Sequence, residues 1–449
     1  MAVQPSSALS ARGLGLIACT ALVVGNMIGS GIFLLPASLA SFGPISLGGW
    51  LLTSCGALVL AMLFGRLSQL VHKTGGPYAY TEAGYGEFAG FLIAWGYWIT
   101  LWTGNAAVAV ALAGYVGFLV PAIGESSGYS LLTALAAIWL LTLINVRGVK
   151  EAGAVQVLTT VLKLVPLLLI GVLGWWWVEP ANFAVINRSG QSDLAAISAA
   201  AAITLWAFLG LESATVPAGE VVDPARTIPR ATLFGVLLAA SVYMAVSAVT
   251  MGVLPAEQLS ASSAPLADVA RLMWGDVGGV LVAVGAVIAT FGTLNGFTLL
   301  TGQVPYGAAL DRVFPHSLGH LSRFGTPANA LVFSNLLASI LVVMNFAHGL
   351  VGAFNAIILL AVMASLVPYA FCALAELMIR LKGEDGLQGA ALLKVSLLGG
   401  LGFLYSGWAI YGAGAETVYL GTLLLLAGIP VHVWIKWGND RADRRATRP

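Results

Sequence analysis

Two ionisable residues lie deep within apolar sequence. They are Lys163, in Val161-Leu162-Lys163-Leu164-Val165-Pro166, and Glu212, in Leu209-Gly210-Leu211-Glu212-Ser213. A charge at the centre of a membrane helix costs about 2.5–3.5 kcal/mol even on the lenient insertion scale, so such residues need a partner or a task. Lys163 is too deep to snorkel. It reads as a surrogate for a bound cation or as a titrating proton carrier; the plainer alternative is an ammonium bonded to carbonyls for packing. Glu212 reads as a titrating carboxylate, or more plainly as a neutral acid hydrogen-bonded across helices. A third feature could hold an anion: Gly25-Asn26-Met27-Ile28-Gly29-Ser30-Gly31-Ile32-Phe33-Leu34-Leu35-Pro36. Glycine lowers helix propensity and proline removes a backbone donor, so the helix is expected to break at Gly29, Ser30 and Gly31, with Pro36 closing the patch. Hydrocarbon penalises unpaired backbone groups, so such a break must border a cavity, water or a ligand.

These residues need a membrane scaffold to position them. The chain has 449 residues, 59% hydrophobic and 9% charged, where a soluble protein is about one quarter charged. The pattern predicts an all-α integral membrane protein. About twelve spans of sufficient length lie near 14–41, 46–70, 88–120, 129–146, 152–177, 194–217, 229–253, 277–303, 327–346, 351–380, 391–412 and 416–437. The first run is too long for a cleaved leader and reads as a span. Cys19, Cys55 and Cys372 lie in apolar runs, as packing residues rather than a disulfide frame or metal site. The five histidines lack metal-ligand spacing. Trp175, Trp176 and Trp177 read as an interfacial belt.

Twelve spans place both termini on one side, together with Arg12, Arg66, Lys73, Arg147, Lys150, Arg226, Arg230, Arg312, Arg323, Arg380, Lys382, Lys394, Lys436, Arg441, Arg444, Arg445 and Arg448. Only Arg188 and Arg271 fall opposite. The positive-inside rule makes the rich side cytoplasmic, with N- and C-termini inside the cytoplasmic (inner) membrane. The stretch His72 to Tyr80, followed by Glu82 and Glu87, reads as a cytoplasmic interfacial connection, and Glu220 to Arg230 as a second turn whose charges pair locally. The tail from Lys436 is basic and reads as disordered or bound at the lipid surface.

The two halves echo each other. Span 1 carries Gly29, Ser30 and Pro36; span 6 carries Gly210, Glu212, Ser213 and Pro217. Interrupted spans in corresponding positions point to a midplane site between inverted repeats. Together with Gly75-Gly76-Pro77-Tyr78-Ala79-Tyr80 and Thr204 to Ser213, these motifs resemble those of the amino acid–polyamine–organocation transporters, and within them the basic amino acid/polyamine antiporters. The resemblance runs from about Leu14 to the last span. It implies a LeuT-type fold: a five-plus-five inverted repeat (14–177 and 194–382), two additional helices (391–437) and a basic tail (438–449), in one transporter domain.

Carried over residue by residue, the resemblance implies that Ile28, Gly29, Ser30 and Gly31 take a substrate carboxylate at a helix N-terminus. Leu209, Gly210 and Ser213 would offer carbonyls to an amine. Trp206 would cap the substrate, and Asn105 would reach its side chain. Tyr97 and Tyr369 would line gates, and Glu212 would link protonation to opening. Thr100, Asn105, Phe297 and Ala361 are the expected specificity positions. Phe297 stands where the arginine/agmatine antiporters place a tryptophan, and phenylalanine is a weaker cation–π partner. Lys163 resembles the span 5 lysine of sodium-independent amino acid permeases, which stands where sodium binds in coupled relatives.

The expected function is secondary active transport of cationic amino acids or their amine products, by exchange or proton coupling and alternating access. A proton-coupled permease for neutral amino acids is the alternative; a channel or non-transporting receptor is more remote. The expected partners are an amino acid or polyamine, protons, the lipid bilayer and, by resemblance, a second copy in a homodimer. No cofactor and no nucleic acid are expected. An enzyme is not expected either: there is no phosphate-binding loop, nucleophile elbow or metal signature.

Overall fold

A computed structural model of the chain describes residues 14–71, 76–148, 152–215, 221–382 and 388–446, without the side chains of 152–161, 345 and 440–446. Arg12, His72 to Gly75, Lys150, Pro217, Glu220 and Arg448 lie outside the described residues, as do the side chains of Arg441, Arg444 and Arg445.

The described elements are helical. In order they are α1 (Leu16–Met27), α2 (Ser30–Ala40), α3 (Ser46–Leu70), α4 (Pro77–Tyr85), α5 (Glu87–Leu119), α6 (Ser127–Arg147), α7 (Ala152–Leu173) and α8 (Asp193–Leu205). They continue with α9 (Pro224–Val253), α10 (Ala256–Ala261), α11 (Pro265–Leu310), α12 (Ala328–Asn345), α13 (Gly349–Lys382), α14 (Gly389–Gly412), α15 (Ala415–Leu426) and α16 (Gly428–Ala446). Ten stretches among the described residues are long and apolar enough to cross a membrane. One of these, Ala328–Lys382, contains both α12 and α13, which turn at Gly349 (φ 75). α11 is likewise two helices, divided by a kink at Gly275 (φ 72). The expected polar connection around Glu82 is the short helix α4.

α5 is the central post: 94% of its apolar window is buried. Its middle turns hold Ala106, Ala107, Ala109, Ala111 and Ala113, all fully buried. Small side chains let neighbouring backbones approach where lipid gives no hydrophobic drive between helices. α11 and α13 pack on α5; α3 lies against α8 and α9, and α1 against α9 and α7. The last two apolar stretches are peripheral, only 22% buried. Cys19, Cys55 and Cys372 are free thiols. Trp175, Trp176 and Trp177 are exposed in a 3-10 turn at the end of α7.

Charge is handled locally. Asp223 and Arg226 pair at 3.8 Å at the start of α9, and Glu87 pairs with Lys436 at 2.8 Å. Within the bundle Glu376 of α13 is buried, and Arg66 of α3 grips it with two nitrogens, each 2.7 Å from a carboxylate oxygen. Arg380 adds a third bond at 2.9 Å. This two-pronged geometry suits only a guanidinium. Replacing Arg66 by Met should destabilise the protein by about 1–2 kcal/mol, a figure discounted because Arg66 is 38% exposed. Arg66→Lys should recover only part. Melting temperatures in detergent measure this; an unchanged value for R66M would show that the pair adds nothing to stability.

Candidate functional site

α1 stops at Met27 because the next two residues leave helical angles: Ile28 has φ −79, ψ 85 and Gly29 has φ −124, ψ −137. α2 restarts at Ser30. The break is therefore two residues long, narrower than the expected Ile28–Gly31. Ser30 and Gly31 form the first turn of the second half-helix, and Pro36, expected to close the patch, sits inside α2. The amides of that first turn have no partner within the helix, and the positive end of its dipole faces the gap.

The break also frees a carbonyl. In a continuous helix the Gly25 carbonyl would accept from the Gly29 amide, but that amide donates to Met27 at 2.9 Å instead. The Lys163 ammonium of α7 donates to the Gly25 carbonyl at 2.5 Å and takes the missing place. Lys163 is buried, and no ion pair joins it to Glu212.

The sixth span unwinds over a longer stretch. α8 ends at Leu205 and a 3-10 turn, Trp206–Phe208, follows. Leu209 is extended, Gly210 has φ 100, and a second 3-10 turn spans Ser213–Thr215. A left-handed φ of that size is comfortable only for glycine. Here too a carbonyl is freed: Leu211 donates to Phe208, and the Ala207 carbonyl accepts from the Tyr243 hydroxyl at 2.9 Å. The two breaks touch. Asn26 donates its side-chain amide to the Ser213 hydroxyl at 2.8 Å, and the Trp206 indole donates to Ser30 at 3.3 Å. A Cβ on Gly31 would stand 3.0 Å from the Ala207 Cβ and 3.1 Å from its Cα. Glu212 is buried, accepting from the Tyr369 hydroxyl at 2.8 Å, with Tyr97 beside the same carboxyl.

Two cavities flank this junction. One, small, lies over the start of α2 and is lined by Gly29, Ser30, Gly31, Trp206, Leu209 and Phe297, with Asn26, Met27, Val108 and Thr293. The other, also small, is lined by Tyr97, Thr100, Gly210, Glu212 and Ser213, with Leu101 and Leu300. Asn26, Leu209 and Phe297 border both. The arrangement offers an amide-rich, electropositive end and a carboxyl-bearing end, separated by an aromatic ring. Among the described residues no group of three His, Cys, Asp or Glu could hold a metal.

A family profile for amino acid permeases matches residues 14–420. This chain belongs to that amino acid permease family. The permease is 33% identical to the cadaverine/lysine antiporter of Escherichia coli K12 over 87% of its own length and 88% of the relative's. It is 32% identical to the arginine/ornithine antiporter of Pseudomonas aeruginosa, over 93% and 90%. It is 29% identical to a putrescine transporter of Haemophilus influenzae, over 95% and 98%. These are transporters, not enzymes.

Several expected site residues of the permease line neither cavity. Ile28 is buried in the break, Lys163 sits behind α1, and Tyr369 reaches the site only through Glu212. Asn105 donates to Asn335 at 2.7 Å and to Thr298 at 3.4 Å, bracing α5 against α11 and α12. The Ala361 carbonyl accepts from Ser365 and from Thr100, which itself faces the second cavity. Asn26 and Thr293, which border the cavities, and Tyr243, which meets the Ala207 carbonyl, were not among the expected residues. A polar Asn26 within the first apolar run was the available signal; nothing in the sequence singles out a tyrosine in span 7 as a carbonyl's partner.

Gly31→Ala should force the half-helices apart. Overpacking of this kind costs about 1–3 kcal/mol, enough to weaken transport about ten-fold or more. The double variant Gly31→Ala with Ala207→Gly should regain part of the activity, because the second change removes the nearer of the two Ala207 atoms that are struck. Initial uptake rates in reconstituted vesicles, with folded protein quantified, check both; a single variant with full activity would show that the contact is not needed.

Proposed function

We propose that the permease is a secondary active exchanger of cationic amino acids and their amine products, working by alternating access. The carrying observation is the pairing of an unwound helix N-terminus with a buried carboxyl across one junction. The amides at Ser30 and Gly31 suit a carboxylate, and the Glu212 side suits a positive group. A basic amino acid carries both. The names of the relatives, which pair lysine with cadaverine and arginine with ornithine, support the same class.

In this proposal Gly29, Ser30 and Gly31 anchor the carboxylate, with Ile28 forming the bend. Leu209, Gly210 and Ser213 supply acceptors for the amine, and Trp206 and Phe297 form the walls. Thr100, Asn105 and Ala361 set the shape of the far end, Asn105 and Ala361 through the residues they hold. Tyr97, Tyr369 and Glu212 form the gate, and Lys163 occupies the place of a coupling cation. The proposed scaffold has twelve spans: the ten apolar stretches with α12 and α13 counted separately, plus α7. They form two inverted repeats of LeuT type, 14–177 and 194–382, and two further helices over 391–437. The proposed setting is the cytoplasmic membrane, with both termini inside, the basic tail 438–449 on the cytoplasmic face, and a homodimeric assembly.

Proteoliposomes loaded with arginine, ornithine, lysine, cadaverine or putrescine provide the test. Uptake of a labelled member of this set should require one of them inside. If no internal solute drives uptake under any pH gradient, exchange is refuted. Glu212→Gln keeps shape and removes charge; it should lose uptake of cationic substrates, and retained pH-sensitive uptake would remove Glu212 from the gate.

A second reading follows from Lys163 holding the Gly25 carbonyl. If its proton is released during transport, the permease is proton-coupled and neutral amino acids become substrates. Lys163→Ala should then abolish the pH dependence of transport while leaving binding partly intact. Unchanged pH dependence would make Lys163 a structural replacement for the missing amide.

A further inference from the structure

One corner of the surface is charged, rigid and unused by the transport site. α6 ends at Arg147 and turns at Gly148 (φ 79). The loop before α12 is clipped onto that end, the Thr326 hydroxyl donating to the Val146 carbonyl at 2.6 Å. The loop is itself a closed turn. Ser322 donates its amide to the Thr326 carbonyl at 2.8 Å, their hydroxyls pair at 2.9 Å, and Gly325 donates to the Ser322 carbonyl. Arg323 and Arg147 are thus brought to one corner, both exposed. Among the described residues neither is in an ion pair. Neither α6 nor the stretch 312–375 contains an Asp or Glu. The Arg323 guanidinium rests 4.7 Å from the centre of the exposed Phe324 ring, and Leu321 beside it is exposed too.

Two apolar stripes run into this corner. On α6 the exposed Leu140 and Leu143 lie on the face that ends at Arg147, following the helical spacing of three and four. On α12, which packs beside α6, the exposed Phe333, Leu336 and Ile340 form a second stripe that begins just after the loop. Apolar stripes topped by guanidinium groups that no described carboxylate pairs match one ligand chemistry: hydrocarbon chains carrying a phosphate.

We infer that Arg147 and Arg323, at the meeting of α6 and α12, bind the phosphate of an anionic phospholipid whose acyl chains lie along Leu140, Leu143, Phe333 and Leu336. The guanidinium forks supply paired donors for phosphate oxygens. Phe324 and Leu321 set the depth of the corner at the headgroup level. The inference is independent of the transported solute.

Native mass spectrometry of the purified full chain tests it, by titration with phosphatidylglycerol or with phosphatidylcholine of the same acyl chains. The wild type should retain phosphatidylglycerol preferentially. A basic residue at a lipid surface is worth about five-fold in binding, so Arg147→Gln with Arg323→Gln should weaken retention about twenty-fold or more. The pair Arg230→Gln with Lys394→Gln, which removes equal charge elsewhere, should leave it unchanged. Equal loss in both pairs would mean diffuse surface charge and overturn the site, as would full retention in the first pair. Displacement by inorganic phosphate or glycerol phosphate at matching concentration would mark a soluble-anion site and overturn the lipid reading. A change of oligomeric state with lipid retention unaltered would assign the corner to a second copy of the chain instead.

Discussion

Within hydrocarbon a carbonyl without a donor has nowhere to turn, and the site of this permease depends on how that constraint is met. Each break frees a carbonyl that a straight helix would have paired and that another helix now meets. Gly25 is met by the Lys163 ammonium and Ala207 by the Tyr243 hydroxyl. Both partners come from helices outside the broken pair. The amides on the far side of the first break stay unpaired within their helix and face a cavity. The first break is thus asymmetric: the Gly25 carbonyl is met by protein, while the amides that open α2 face open space.

The helical scaffold was legible because its signal is long and repetitive. Runs such as 88–120 and 129–146 correspond to α5 (Glu87–Leu119) and α6 (Ser127–Arg147) within a few residues. The first break was legible at Gly29 as a composition anomaly, yet its extent was not. Ser30, Gly31 and Pro36 all lie within α2: weak helix formers mark a region, and composition alone does not say which residues leave helical angles.

The contacts between helices were much less legible. Asn105, expected at the substrate, spends its amide on Asn335 and Thr298; Asn26, passed over, stands at both cavities. Both are asparagines in apolar helices, and one sequence carries no mark of which face each presents. Lys163 and Glu212 could be singled out because burying them is costly, but their partners, a carbonyl and a tyrosine, are residues that no charge pattern announces.

The wall between the two cavities has a consequence of its own. Asn26, Leu209 and Phe297 belong to both chambers, and Asn26 is tied to Ser213. In the proposed reading, a substrate with a charge at each end would lie across this wall, one end on each side. What such a partition measures is the length of the carbon chain between the charges. In that reading it is a ruler, and a methylene more or fewer would be felt there.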